Sequence, residues 1–262
     1  MRELAVVVNN ANEAISPIQM IDSIKNAGFK NVFLQWYNRD DLEVSQEKQL
    51  EYARKVGLNV VFVHLRYKRI NDIWNKDIDA SDVVEEYIHD LEVCKKNGIN
   101  LVIMHLTSKM VAPEYNEIGL ERLRKIINKA EELGIYIAFE NTKIRGYLEY
   151  VFGNIKSDNI GLCYDAGHCH AHFDDEFNYE FFKDRIFAVH LHDNHGQLDE
   201  HLLPFDGTIN WEHVIGKLKD CNYNSYVTLE LSYRRDYLNM SSDEFYKEGY
   251  KRGEKLLSLL EK

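Results

Sequence analysis

Eight short apolar runs recur along the chain, and a stretch of helical periodicity follows each one. The runs are Leu4-Ala-Val-Val-Val8, then residues 32–36, 60–64, 101–105, 135–140, 159–165, 185–190 and 226–230. Continuous apolar runs of this length suit strands buried on both faces, as in parallel sheets. Helix signals fill the intervals. Ser16-Pro17-Ile18-Gln19 reads as a capping box with proline in the first turn, and Ile18, Ile21 and Ile24 share a face up to Gly28. Ser45 opens a second helix that ends near Gly57. Val83, Val84, Tyr87, Ile88 and Leu91 mark a third, closed by Gly98; Leu120, Leu123, Ile126, Ile127 and Leu133 mark a fourth, closed by Gly134. Shorter helices are predicted after Gly146 and around Phe181 and Phe182. A seventh spans 211–218 behind Asn210, and the last opens at the capping box Ser241-Ser-Asp-Glu244. Eight strand–helix alternations in 262 residues predict an α/β protein, a single-domain (β/α)8 TIM barrel over residues 1–262. The alternative is an open doubly wound sheet, but no glycine-rich phosphate fingerprint follows the first run.

Composition narrows the partners. The net charge of −11 disfavours non-specific contact with nucleic acid or anionic membranes. The four cysteines, Cys94, Cys163, Cys169 and Cys221, have no CxxC spacing, which fits a reducing compartment. Cys163 reads as a buried thiol rather than a metal ligand. No signal peptide is expected from the first residues, and no apolar run approaches the ~20 residues of a membrane helix. The expectation is a cytoplasmic protein with no membrane partner.

In such barrels the active site lies at the C-terminal ends of the strands. Six successive runs finish there on a metal-competent side chain: His64, His105, Glu140, Asp165, His190 and Glu230. Burying charged or imidazole groups is costly unless they are paired or ligated. Carboxylates and imidazoles together suit zinc, manganese and similar divalent ions. Glu140, Asp165, His190 and Glu230 are therefore the primary candidate ligands. The dense stretch from Asp165 to His201 adds His168, Asp199 and His201. His192 is expected to point away from His190 in a supporting role, and His170, His172, His195 and His213 read as surface or loop residues. Trp36 and Tyr37 are candidates for a sugar-stacking wall. Arg66-Tyr-Lys68-Arg69 or Arg234-Arg235 could bind a substrate phosphate.

The motifs Phe139-Glu140-Asn141-Thr142, Cys163-Tyr-Asp165-Ala-Gly-His168, Val189-His190-Leu-His-Asp193, the segment Asp199 to Trp211 and Thr228-Leu-Glu230 resemble the xylose isomerase-like barrel superfamily. It holds sugar and sugar-phosphate isomerases and epimerases, and also the endonuclease IV type of abasic-site nuclease (AP endonuclease family 2). The resemblance covers the whole barrel. Its isomerase branch implies one divalent metal (Zn, Mn or Mg) on Glu140, Asp165, His190 and Glu230, with both glutamates moving protons and His168 on the substrate. Trp36, His64 and His105 would then also line the substrate. The nuclease branch implies three zinc ions. There Glu140 bridges two of them beside His64 and His105, while His168, Asp199 and His201 form the other flank.

Departures favour the first branch. The nuclease pattern has Asp-Thr-Cys-His where this chain has Asp165-Ala-Gly-His168, and His192 and Asn194-His195 interrupt its pattern after the seventh strand. Pro204-Phe-Asp-Gly-Thr-Ile-Asn-Trp211 lies closer to the isomerase loop Pro-Gly-x-Gly-x-Ile-Asp-Trp, although Phe205 and Asp206 depart from it. The strand-ending loops read as short, leaving little to enter a duplex. The expectation is a divalent-metal-dependent isomerase or epimerase of a sugar or sugar phosphate, in which Glu140 and Glu230 transfer protons through an enediolate. A homodimer is compatible with this kind of barrel. The alternative is a zinc phosphodiesterase on abasic DNA, with Lys143, Arg145, Arg66 and Lys68 on the nucleic-acid backbone. A purely structural barrel has no need of so complete a ligand set.

Overall fold

The computed structural model describes residues 2–9, 15–36, 44–173 and 176–261, without the side chain of Arg235; Tyr37 lies outside the described residues. The strands are β1 (Leu4–Val8), β2 (Asn31–Gln35), β3 (Asn59–His64), β4 (Leu101–His105), β5 (Tyr136–Glu140), β6 (Ile160–Asp165), β7 (Ile186–His190) and β8 (Val227–Leu229). The helices that follow them in turn are α1 (Pro17–Ala27), α2 (Gln46–Lys55), α3 (Ser81–Lys96), α4 (Glu117–Leu133), α5 (Tyr147–Asn154), α6 (Ala166–Phe173), α7 (Trp211–Asp220) and α8 (Ser242–Glu261). All strand pairs are parallel, from β1–β2 round to β6–β7, and β8 pairs with β1. A single bridge between Leu191 and Leu229 nearly closes the ring: the Leu191 N–H donates to the Thr228 carbonyl at 2.9 Å, and the Glu230 N–H to the Leu191 carbonyl at 3.2 Å. The expected (β/α)8 TIM barrel is the observed architecture.

Helix caps form where the sequence placed them. Ser16 and Gln19 close a reciprocal capping box, and so do Ser241 and Glu244. One helix is displaced. A helix was expected around Phe181 and Phe182, where only a 3-10 turn (Tyr179–Phe182) forms; α6 instead starts directly after Asp165. The Asp165 carboxylate caps it by accepting the His168 N–H at 2.6 Å. Among the described residues, no helix is long and apolar enough to cross a membrane.

Two apolar layers hold the barrel. The larger lies between strands and helices. The smaller fills the barrel interior with Val7, Phe33, Phe62, Ile103, Ala138, Cys163 and Ala188, one from each of β1 to β7. Inward-facing side chains recur every second residue on a strand. Two positions further on from this plug stand Asn9, Gln35, His64, His105, Glu140, Asp165 and His190, and Glu230 follows Thr228 by the same step. The barrel thus builds a polar layer directly on an apolar floor.

Trp74 ties the outer layers of β3 and β4 together. It is fully buried, and its indole N–H donates to the Leu106 carbonyl at 2.6 Å. Its ring lies where a side chain at Gly119 of α4 would be, since a Cβ there would stand 2.1 Å from the ring. Gly119→Ala is therefore expected to destabilise the protein by about 1–3 kcal/mol, overriding the ~1 kcal/mol by which alanine favours a helix. Urea unfolding checks this; a raised midpoint would refute it.

Candidate functional site

The polar layer converges on His190. Its Nδ1 lies 3.4 Å from Glu140 Oε1, 3.3 Å from Glu230 Oε2 and 3.9 Å from Asp165 Oδ2. One ligand atom from each of Glu140, Asp165, His190 and Glu230 falls within 4.8 Å of the others. The ring stacks on Phe33 of the floor, with centroids 5.0 Å apart and planes 9° apart. Both of its nitrogens are buried without a hydrogen-bond partner. These separations match neighbouring ligands around an ion with bonds of ~2.0–2.2 Å. The four residues therefore fit a divalent cation.

Flanking imidazoles are turned the same way. His64 Nδ1 donates to the Leu65 carbonyl at 2.8 Å, and His201 Nδ1 to the Glu230 carbonyl at 2.9 Å. A carbonyl can only accept, so each Nδ1 carries the proton and each Nε2 faces the cluster. Metal-binding histidines are commonly oriented in this manner. His64 Nε2 and His105 Nε2 each lie 3.1 Å from Glu140 Oε2 and 3.1 Å from one another. On the other side, His201 Nε2 lies 3.2 Å from Asp199 Oδ1. His168 spans the middle, with Nδ1 3.1 Å from Glu140 Oε1 and Nε2 3.1 Å from Asp199 Oδ2.

Charge is strongly coupled here. Burial opposes ionisation of Glu140, Asp165 and Asp199. The facing imidazoles nonetheless hold all three below the usual carboxylate range, Glu140 and Asp199 well below it. Burial likewise opposes protonation of His168 and His190, but their anionic neighbours hold both well above the usual imidazole range. His201 is raised to about 9 against the same burial, chiefly by Asp199. His105 moves the other way, because burial outweighs Glu140. Buried carboxylates this close require positive charge, from imidazolium protons or from a metal that displaces them. Burial pushes the Cys163 thiol up to about 12, so it stays protonated in the floor.

Several supporting residues went unread in the sequence. Gln35 ends β2, and its amide donates to Glu230 Oε1 at 2.8 Å. Period-two counting from Phe33 would have found it. Asn141 clamps Asp165 from both sides: its Nδ2 donates to the Asp165 carbonyl at 2.8 Å, and its Oδ1 accepts the Asp165 N–H at 2.7 Å. The loop after β7 spans residues 191–210, longer than the short strand-ending loops expected. Asp193 organises this loop. Its carboxylate accepts the backbone N–H groups of Asn194, Phe205 and Ile209 and the Trp211 indole N–H, at 2.9–3.1 Å.

The expectation that His192 points away from His190 also fails. Positions two apart on a strand share a face, and the His192 Nε2 lies 3.2 Å from Asp165 Oδ1 and 3.7 Å from Asp199 Oδ1. His170 and His172 are on α6 rather than in a loop, and His172 Nε2 is buried. His195 and His213 are exposed, as expected.

The arginines with described side chains among the candidate phosphate binders are engaged internally. Arg66 forms a two-pronged pair with Asp90, both bonds at 2.6 Å, and Arg69 bonds Asp72 and Asp82. Arg234 donates to the Glu200 carbonyl at 2.9 Å, and Arg145 to the Phe173 carbonyl at 2.7 Å. Lys68 is exposed, and Lys143 lies 4.0 Å from Asp199. Trp36 is only 3% exposed and packs into the outer core, which leaves no open stacking face.

A family model described as xylose isomerase-like TIM barrel matches residues 21–256. The uncharacterized protein MJ1311 of Methanocaldococcus jannaschii is 34% identical over 137 residues, 48% of this chain and 46% of that one. The matches span less than half the length of the curated relatives, 30–46%. Among solved structures, the IolI protein with a binding zinc atom is similar at a TM-score of 0.76 and 20% identity, over 98% of each chain. A D-tagatose 3-epimerase-like protein is similar at 0.68 and 22% identity, over 97% of this chain and 99% of that one. At these identities the structural likeness is one of fold.

Asp193→Asn places an amide donor among four donors. It is expected to cost on the order of 2–3 kcal/mol and to loosen residues 194–210. Urea unfolding and limited proteolysis check this; wild-type stability together with an uncut loop would refute it.

Proposed function

The chain belongs to the xylose isomerase-like TIM barrel family, and from that premise we propose that it is a divalent-metal-dependent isomerase or epimerase of a sugar or sugar phosphate. The whole chain would act as one domain, in a reducing, cytoplasmic setting that suits its free cysteines. The observation that carries the reading is the convergence of Glu140 and Glu230, from β5 and from the end of β8, on the same His190 nitrogen at 3.4 and 3.3 Å. Two carboxylates on one small volume suit removal of a proton and its return.

Glu140, Asp165, His190 and Glu230 would hold a zinc, manganese or magnesium ion. When bound, the ion would polarise a carbonyl and its neighbouring hydroxyl and so acidify the α-proton. The residues themselves would do the rest. Gln35 occupies Glu230 Oε1 and thereby fixes the direction of Oε2. One glutamate would take the α-proton to give an enediolate, and the other would supply a proton to the new position. His168, between Glu140 and Asp199, would hold a substrate hydroxyl.

A second reading, a zinc phosphodiesterase on abasic DNA, draws on the two flanking sets around Glu140 and Asp199. The internal engagement of Arg66 and Arg145 counts against it, because backbone phosphates need available cations.

Deuterium wash-in with a panel of ketoses and their phosphates is expected to show exchange beside the carbonyl, lost with a chelator and restored by metal. No exchange with any sugar, together with chelator-sensitive nicking of an abasic oligonucleotide, would move the assignment to the second reading. Glu140→Gln and Glu230→Gln should each lower turnover by about 10²–10⁴-fold. Unchanged turnover in either would overturn the roles given to the glutamates.

A further inference from the structure

We propose that the substrate carries an anionic group, a phosphate or a carboxylate, at the end away from its reacting carbons, and that Lys143 and His172 hold that group. The proposal rests on the isomerase reading for the reaction, but not for the binding of the anion.

The first observation is an uncommitted cation. Arg66, Arg69, Arg145 and Arg234 each donate to the protein's own carboxylates or carbonyls. Lys143 differs. It stands three residues past Glu140, is 33% exposed, and turns its ammonium toward the cluster, with Nζ 4.0 Å from Asp199 Oδ2. That separation is an ion pair too long for a hydrogen bond. Among the described residues, no acceptor takes any of its three N–H groups. Such an ammonium is a point-charge ligand for phosphate or carboxylate.

The chain that carries Lys143 is fixed beforehand. Asn141 is bonded to both the N–H and the carbonyl of Asp165. The buried hydroxyls of Thr142 and Thr107 share a hydrogen bond at 2.7 Å. Lys143 thus leaves a rigid strand end, and little backbone freedom is lost when it meets an anion.

His172 supplies a second donor. It stands four residues after His168 on α6, and residues so spaced share a helix face. The two ring centroids are 6.0 Å apart. His172 is the less buried of the two, yet its Nε2 is buried without a hydrogen-bond partner. A buried polar atom left unpaired is costly, and a substrate oxygen would satisfy it. Burial, followed by the positive charges of His168 and Lys143, lowers the proton affinity of this imidazole against the opposing pull of Asp199 and Asp165.

The two donors lie on one edge of the site. His168 bridges Glu140 and Asp199 at 3.1 Å on each side, and Lys143 lies beyond Asp199. A sugar chain that reacts at Glu140 and lies along His168 therefore brings its far end to Lys143 and His172. A terminal phosphate or carboxylate suits that position.

The test is deuterium exchange on the metal-loaded full-length chain with matched trios: a ketose, its terminal phosphate and its terminal carboxylate. An anionic member is expected to exceed the neutral one by about 10–100-fold in kcat/KM, and the anion that leads identifies the group. In Lys143→Met that advantage should fall to near one, mainly through KM, and Lys143→Arg should recover part of it. His172→Leu should reduce the advantage more than His172→Gln, which keeps a donor. A neutral ketose that reacts as well as both anions overturns the proposal, as does an anionic advantage that survives in Lys143→Met. If no sugar exchanges, the isomerase reading has failed and the subsite is judged by binding alone. Calorimetric titration with glycerol 3-phosphate, with glycerol as control, then decides. Binding that requires the phosphate and weakens in Lys143→Met upholds the subsite, and binding indifferent to Lys143, or none, overturns it. Abasic-oligonucleotide nicking that depends on Lys143 would assign this cation to a nucleic-acid backbone and likewise overturn the proposal.

Discussion

Burying three carboxylates under one layer of imidazoles is the constraint on which the rest of this structure depends. Glu140, Asp165 and Glu230 are almost fully buried. Anions so placed repel one another and lose hydration, so the fold survives only if positive charge enters with them. Imidazole meets that need in two ways, by accepting a proton or by yielding it to a metal ion. The hydrogen bonds that fix His64 and His201 through Nδ1 prepare the second. The apolar floor of Phe33, Phe62 and Ile103 beneath excludes water and strengthens every interaction above it.

The barrel makes this arrangement possible by geometry alone. Parallel strands present their C-terminal ends on one side, and period-two alternation brings the residue two past each plug position into one plane. The polar layer therefore needs no loop to assemble its first centre. Loops enter only for the second half of the site. There Asp193 gathers four donors and presents Asp199 and His201 opposite α6. A single buried carboxylate outside the cluster thus sets the position of two residues within it.

Much of this was legible in the sequence. The eight runs were visible because strands buried on both faces are apolar at every position. The primary ligands were visible because each run ends on a side chain that an apolar core does not accept alone. The misreadings have local causes. The helix at Ala166–Phe173 is short and histidine-rich, lacks an apolar stripe and is held by the Asp165 cap, so periodicity does not reveal it. Gln35 and Asn141 look like ordinary strand-end amides until their partners, far away in sequence, are known. Arg66 looks like a phosphate ligand until Asp90 is placed against it.

The sequence by itself determined the strand count, the barrel and the identity of the residues at the strand ends, because these follow from local periodicity. Only the tertiary structure decided which atoms meet. That His192 turns inward onto Asp165 and Asp199, and that Gly167 leaves room for it, depends on elements joined only through the folded barrel. The same holds for Asp199 Oδ1, which faces the His201 and His192 rings. Hydrogen-bond satisfaction is a property of three-dimensional neighbours, and sequence spacing carries no record of it.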